Sequence, residues 1–77
     1  MITKGELKDD ANNVDTNSIW ALEELASNVN YGRGIFVNFM TGRVSYSQLQ
    51  LNIDSSGRHI AFRINTFNGW TSWVQIV

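Results

Sequence analysis

Asp54, Ser55 and His59 lie close together in the sequence and contain the side-chain types of a Ser-His-Asp hydrolase. A catalytic serine must project from a rigid element beside an oxyanion hole. These residues instead flank and include the stretch DSSG, whose Asp, Ser and Gly are the residues that turns prefer. The sequence therefore predicts a turn here and not a catalytic triad.

Other catalytic or metal centres are equally poorly supported. One histidine and no cysteine make a poor transition-metal site. Glu23 and Glu24 would point about 100° apart on a helix and so form no catalytic carboxylate pair. The GRG at residues 32–34 contains neither of the glycine patterns that bind phosphate. We therefore expect no enzyme, no cofactor and no metal.

Arg63, Phe67 and Trp70 are the strongest candidates for contact with a ligand or a partner. The two aromatic rings could stack on a sugar or pack against another subunit, and the arginine could bind an acidic or sugar group or stack on a ring. Val74 and Ile76 would extend this strip along the last strand. A contiguous apolar strip left bare on a monomer marks an interaction surface.

Length and charge limit the classes of partner. A chain of 77 residues forms one domain at most, and without cysteine it has no disulfide to support so small a core. We therefore expect oligomerisation to supply the stability that so small a core lacks. Four scattered arginines in residues 31–77 are too few for the dense basic surface that binds nucleic acid. No apolar run reaches the 18 or so residues of a membrane span, so we expect no membrane insertion.

The N-terminal third divides into a polar segment and a predicted helix. Residues 1–17 are rich in Lys, Asp, Asn and Thr and are interpreted as a polar lead-in or linker, which leaves residues 18–77 as the single domain. Ile19, Leu22, Ala26 and Val29 recur at helical spacing, which predicts a helix from about residue 19 to residue 27.

The rest of the chain has the pattern of strands. Residues 34–40 alternate two apolar faces and end at a turn predicted for residues 41–43. Residues 48–53 alternate Gln or Asn with Leu or Ile, which is typical of a strand with one wet and one dry face. Val44 and Tyr46 are out of phase with this alternation, so we expect a kink near Ser47.

Turn chemistry predicts the register of the last strands. Asn68-Gly69 favours a two-residue type I′ turn that pairs Phe67 with Trp70. A four-residue DSSG loop pairs Leu51 with Ile60 and keeps apolar residues in phase, whereas a three-residue loop would mix the wet and dry faces.

These registers predict which face of the sheet is buried. The Gln and Asn face should be exposed, with Trp70 beside Phe67, and the helix should cover the opposite face. The resulting fold class is α+β, one N-terminal helix packed on a small antiparallel sheet of four or more strands that ends in a C-terminal meander. The expected core face contains Leu49, Leu51, Ile53, Ile60, Phe62, Ile64, Trp73 and Val77.

The order of motifs in residues 34–77 resembles the pyocin-knob type of domain found at the ends of bacteriophage tail fibres and related tail appendages. In those domains a glutamine-containing strand is followed by a glycine turn, a strand with a central arginine, a short turn and a closing pair of tryptophans. Those domains usually also contain an upstream strand with the pattern Gly, then Ile or Phe, then Tyr or Phe, and residues 34–36 here resemble it. The corresponding residues are Gln48, Gln50, Gly57, Arg63, Asn68, Gly69, Trp70, Trp73 and Ile76.

The resemblance implies a non-enzymatic virion structural or adhesion module that is often trimeric, and it transfers no catalytic residue. On this hypothesis the chain is a domain of a phage tail fibre or tail appendage that serves oligomer assembly and host attachment. It would be made in the host cytoplasm and located in the virion tail. Its partners would be further copies of itself, favouring a trimer, and a cell-surface saccharide, bound weakly by each copy but strengthened by avidity.

Two hypotheses from other classes stay open. One is a monomeric carbohydrate-binding module that uses Arg63, Phe67 and Trp70 as its platform. The other is a small regulatory or inhibitor domain that binds one protein partner through the same strip.

Overall fold

Seven strands form one sheet in the computed structural model, which describes residues 1–41 and 47–77. Along the sheet they follow chain order, except that β6 and β7 both pair with β5. The first pair is parallel and all the others are antiparallel. The strands are β1 (Ile2–Glu6), β2 (Ser18–Glu23), β3 (Arg33–Met40), β4 (Gln48–Asp54), β5 (Ile60–Thr66), β6 (Gly69–Trp70) and β7 (Val74–Gln75).

The predicted N-terminal helix is wrong, and with it the α+β fold class. Residues 18–23 form β2, which pairs with β3, and the described residues contain one short 3₁₀ turn (Ala11–Asn13) and no α-helix. Positive φ angles at Glu24 (72°) and Asn28 (60°) turn the backbone repeatedly after β2 and are incompatible with a continuous helix. The helical spacing of apolar residues therefore arises from a strand followed by a turn, and the fold is nearly all-β.

The alternation predicted for β4 and β5 is confirmed, but their register differs. Leu51 pairs with Phe62 and Ile53 with Ile60, so the connecting loop is two residues longer than predicted. A shift of two residues preserves the side of each side chain because strands alternate with a period of two. The apolar residues of the two strands therefore still lie on one side of the sheet, although each pairs with a different partner from the one predicted.

The turn after β5 lies one residue earlier than predicted, which moves the partner of Trp70 by two residues, from Phe67 to Asn65. Thr66 pairs with Gly69 and Asn65 with Trp70. Gly69 has a φ of 100°, whereas Phe67 and Asn68 do not have positive φ angles. A type I′ turn needs positive φ at both central residues, so the chain does not form the predicted turn.

One side of the sheet, the inner face, is covered by residues 7–17 and 24–31. Residues 7–17 connect the parallel strands β1 and β2, and such a connection must cross a face of the sheet. Leu7, Ala11 and Val14 from this crossover are buried and pack with Leu22 and Phe36 as the apolar core. Residues 1–17, interpreted from the sequence as a lead-in or linker, thus contribute an edge strand and three core side chains.

The predicted assignment of the two faces is inverted. The inner face is largely polar, and its amide and guanidinium side chains are the buried ones. The β4 and β5 side chains of the predicted core face point away from the covering segments and are half-buried or exposed, whereas Trp73 packs against the core. The buried residues of the inner face are Ser18, Leu22, Phe36, Asn38, Gln48, Gln50, Asn52, Ala61 and Arg63.

Polar residues occupy the inner face because the layer above it is irregular backbone. Irregular backbone has no continuous ladder of hydrogen bonds, and three of its carbonyl groups accept from side chains of the sheet. Gln48 donates from Nε2 to the Val14 carbonyl at 2.8 Å, and Gln50 does the same to Ala11 at 2.8 Å. A helix would satisfy its own backbone and would require an apolar face beneath it.

Gly34 lets β3 and β4 approach closely at the end of the sheet. Its φ is 138°, and a Cβ atom there would lie 1.9 Å from the Ile53 carbonyl oxygen. The turn predicted at residues 41–43 and the kink predicted at Val44 and Tyr46 fall mainly on residues 42–46, outside the described residues.

Candidate functional site

Arg63 lies on the inner face at the centre of β5 and is only 5% exposed. Its Nε donates to Gln50 Oε1 at 2.8 Å, and Nη2 donates to Asn12 Oδ1 at 2.7 Å. The guanidinium carbon also lies 4.0 Å from the ring centre of Trp70 and 4.9 Å from that of Trp73. Two indoles and two amide oxygens thus surround one buried cation.

Burial lowers the pKa of Arg63 to about 10, while the negative charge of Asp10 acts in the opposite direction. The group remains charged at neutral pH, so the fold bears the cost of desolvating a cation. The indole faces and amide oxygens offset that cost. In this monomer the Arg63 side chain is held by groups of its own chain and presents little surface to a ligand.

The amide network of Asn38, Gln48, Gln50 and Arg63 extends from this cation across β3, β4 and β5. Asn38 Oδ1 accepts hydrogen bonds from Gln48 Nε2 at 2.8 Å and from Gln50 Nε2 at 3.0 Å. Asn38 Nδ2 donates to the Thr16 carbonyl at 2.9 Å. The network connects the sheet to its covering layer, which is a structural task.

Trp70 and Trp73 lie on the same side of the sheet, contrary to the prediction that they point to opposite faces. The strand ladder stops after Trp70 and resumes at Val74, so strict alternation does not apply between them. Between these two strands, Thr71 donates its N–H to the Ile64 carbonyl of β5 at 2.9 Å. Trp73 packs against the core and donates from Nε1 to the Asn28 carbonyl at 3.2 Å.

The other candidate contact residues are well exposed. Phe67 is 85% exposed at the tip of the β5–β6 hairpin, and Ile76 is 57% exposed beyond β7. Val74 pairs with Phe62 and points to the side opposite Arg63. The five candidates therefore do not form one strip, because Arg63 and Trp70 lie on the inner side and Val74 lies on the other.

Asp54, Ser56 and His59 form a hydrogen-bonded turn and not the geometry of a triad. Ser56 Oγ donates to Asp54 Oδ2 at 2.6 Å, and this bond lowers the pKa of the Asp54 carboxyl group. His59 Nδ1 lies 3.1 Å from the Val77 carbonyl oxygen. The described residues also contain no cluster of three or more His, Cys, Asp or Glu that could hold a metal ion.

Opposite the inner face lies the outer face, a set of twelve apolar side chains on β2, β3, β4, β5 and β7. Cross-strand pairing arranges them in three rows without an intervening polar residue. The rows are Ala21, Ile35, Ile53 and Ile60; Ile19, Val37, Leu51, Phe62 and Val74; and Phe39, Leu49 and Ile64.

The edges of the outer face are polar or charged. Glu23 and Arg33 follow its first row, and the Arg33 guanidinium forms an ion pair with Glu24 at 2.9 Å. Thr3 and Thr66 border other sides. An apolar centre with a polar rim and no charge inside is the composition of subunit interfaces, and of homodimer interfaces in particular.

A groove on the inner side includes Trp20, which the sequence analysis did not single out. It measures about 200 Å³, and Lys4, Asp9, Asn13 and Asp15 contribute to its walls. The Lys4 ammonium lies 5.9 Å from the Trp20 ring centre. Nothing in the spacing of these residues predicts the groove, because it depends on the path of the crossover from β1 to β2.

Comparison of the chain with protein-family models, with curated proteins and with solved structures found no match. The resemblance to pyocin-knob domains therefore stays a prediction from the motif order. No helix in the part of the chain that the structure describes is long and apolar enough to cross a membrane.

Proposed function

We propose that this protein is a non-catalytic structural module that works as a homo-oligomer in a bacteriophage tail fibre or tail appendage. The observation that carries the proposal is the outer face. Twelve apolar side chains in contiguous rows, several of them more than a third exposed, form a surface that needs a cover. The assignment to the virion tail, and synthesis in the host cytoplasm, rest on the order of sequence motifs alone.

The small apolar core supports oligomerisation. Seven hydrophobic residues are buried among the described residues; Val37 belongs to the outer face, and Ala11 and Ala61 are two of the other six. The outer face contains larger side chains than this core does. A domain of this size gains little from burial within one chain, and association of outer faces would add a second apolar layer.

We favour a trimer in which each copy presents the same surface outward. We further propose that this trimer attaches to a cell-surface saccharide. Trp20 offers an indole beside carboxylate, amide and ammonium groups, a combination suited to the apolar face and hydroxyl groups of a sugar. Repetition in an oligomer would strengthen weak contacts. If the Trp20→Ala variant bound glycans as strongly as the wild type, this groove would be excluded as the saccharide-binding site.

Sedimentation velocity of the full chain tests the oligomer. We expect an assembly larger than a monomer, and we expect Ile35→Glu to dissociate it because Ile35 lies in the outer face and is 44% exposed. The matched control is Leu25→Glu, which places the same charge at an exposed apolar residue outside that face. A wild-type chain that stays monomeric at its highest soluble concentration would overturn the proposal.

A further inference from the structure

The groove beside Trp20 contains more negative than positive charge. The carboxylates of Asp9, Asp10 and Asp15 line it against the single ammonium group of Lys4, which leaves an excess of two negative charges. The one ion pair in the described part of the chain lies outside this groove, so neither Asp9 nor Asp15 is paired with a cation there. Both of these side chains are exposed. A ligand that complements the groove therefore carries positive charge.

The face of the Trp20 ring already attracts a cation of the chain itself. The indole Nε1 donates to Ser18 Oγ at 2.9 Å, so the N–H group is satisfied internally and the ring face is the part left for a ligand. The Lys4 ammonium lies 5.9 Å from the ring centre, at the limit of the cation–π range of about 6 Å. Lys4 is an exposed, flexible side chain on the edge strand β1, and a ligand cation can displace it.

The size of the groove suits one sugar ring. Its volume of about 200 Å³ lies below the roughly 300–1,000 Å³ of pockets that enclose drug-sized ligands. Leu7 and Val14 supply apolar lining beside the indole, and Asn13 supplies an amide that can bond to a hydroxyl group. A sugar ring that stacks on Trp20 thus finds apolar, polar and anionic groups around it.

We infer that the Trp20 groove binds a hexosamine residue whose nitrogen is unacetylated and positively charged, with its ammonium group facing the Asp9 and Asp15 carboxylates. This inference rests on the proposed saccharide attachment and specifies its chemical class. N-acetylation of the same sugar removes the positive charge, and a uronic or sialic acid brings a further negative charge to the groove. The groove lies on the inner side of the sheet, so it stays accessible when outer faces associate.

Two trisaccharides that differ only in acetylation test the inference. One consists of three glucosamine residues with the linkage of chitosan, and the other is its fully N-acetylated counterpart. Binding to the full chain is followed by NMR titration of the Trp20 indole N–H signal at about pH 6, where an amine with a pKa near that of an α-amino group is protonated. We expect the charged trisaccharide to bind at least about tenfold more tightly than the acetylated one.

Substitutions that change charge without removing the indole localise the effect. Asp9→Asn/Asp15→Asn should weaken binding of the charged trisaccharide at least about threefold and leave the acetylated one unaffected. Lys4→Met removes the competing cation and should strengthen binding of the charged trisaccharide. Glu23→Gln is the matched control, because it neutralises an exposed carboxylate outside the groove and should change neither affinity.

The outcomes separate this inference from the proposed function. Equal binding of the two trisaccharides would refute the preference for an amino sugar and leave saccharide attachment intact. Binding of neither would refute the saccharide attachment as well, while the homo-oligomer has its own test in sedimentation. Tighter binding of a trilysine peptide than of the charged trisaccharide would refute the sugar and indicate a basic protein partner. Equal effects of Glu23→Gln and the double Asp variant would refute the contact with Asp9 and Asp15.

Discussion

Arg63 shows how a charged residue becomes part of the interior of this protein. Its sequence position, in the middle of an alternating strand, indicates only that it shares a face with Ala61 and Asn65. The structure adds two indole rings and two amide oxygens around the guanidinium. These contacts turn a predicted ligand contact into an internal support of the fold.

Replacing Arg63 with alanine should therefore destabilise the fold strongly. The change removes packing against two indoles and leaves Gln50 Oε1 and Asn12 Oδ1 without this donor, so we expect a loss of about 3 kcal/mol in the free energy of unfolding. Urea denaturation followed by tryptophan fluorescence measures it. Arg58→Ala is the matched control at an exposed turn and should change stability by less than about 0.5 kcal/mol. Equal effects of the two changes would refute the role given to Arg63.

At the scale of the element, β4 has two sides with opposite roles. Gln48, Gln50 and Asn52 bind the covering layer through hydrogen bonds, whereas Leu49, Leu51 and Ile53 belong to the outer face. Hydrophobicity alone suggests the reverse, because apolar side chains are usually the buried ones. The pattern of the strand is therefore ambiguous until its covering layer is known.

Adjacent substitutions on β4 separate the two roles. Gln50→Leu should destabilise the monomer by about 2–4 kcal/mol, because the Ala11 carbonyl and Arg63 Nε lose a buried partner. Leu51→Gln should leave the monomer folded and weaken its association. Chemical denaturation of each variant, combined with sedimentation velocity, distinguishes them. If Gln50→Leu proved more stable than the wild type, the conclusion that the Gln and Asn side of β4 is the buried one would be untenable.

At the scale of the whole molecule, stability should depend on chain concentration. Association through the outer face stabilises the folded state by mass action, so the Tm should rise with concentration in the wild type and stay constant in Ile35→Glu. Because the outer face is uncharged, we expect this dependence to persist in high salt, which screens charges with a Debye length of about 3 Å at 1 M. Differential scanning calorimetry at low and high salt measures both effects. A dependence abolished by salt would indicate association through the charged rim instead.

Local sequence patterns determined much of the sheet. The alternation in β3, β4 and β5, their antiparallel pairing and the side on which each apolar residue lies follow from the period of two. Turn residues located both hairpins near the end of the chain but misplaced the registers, because loop length and glycine conformation depend on packing. The helical spacing of Ile19, Leu22 and Ala26 was misleading since a strand and a turn can produce the same spacing.

Only the tertiary structure decided which face of the sheet is inside. The sequence by itself established one apolar and one polar face, and it singled out Arg63 and the paired tryptophans. It could not show that residues 7–17 cross the polar face, because that path depends on the parallel pairing of β1 with β2. Once irregular backbone covers a sheet, the face beneath it must supply hydrogen bonds, so the amides turn inward. The apolar face is thereby left for a partner.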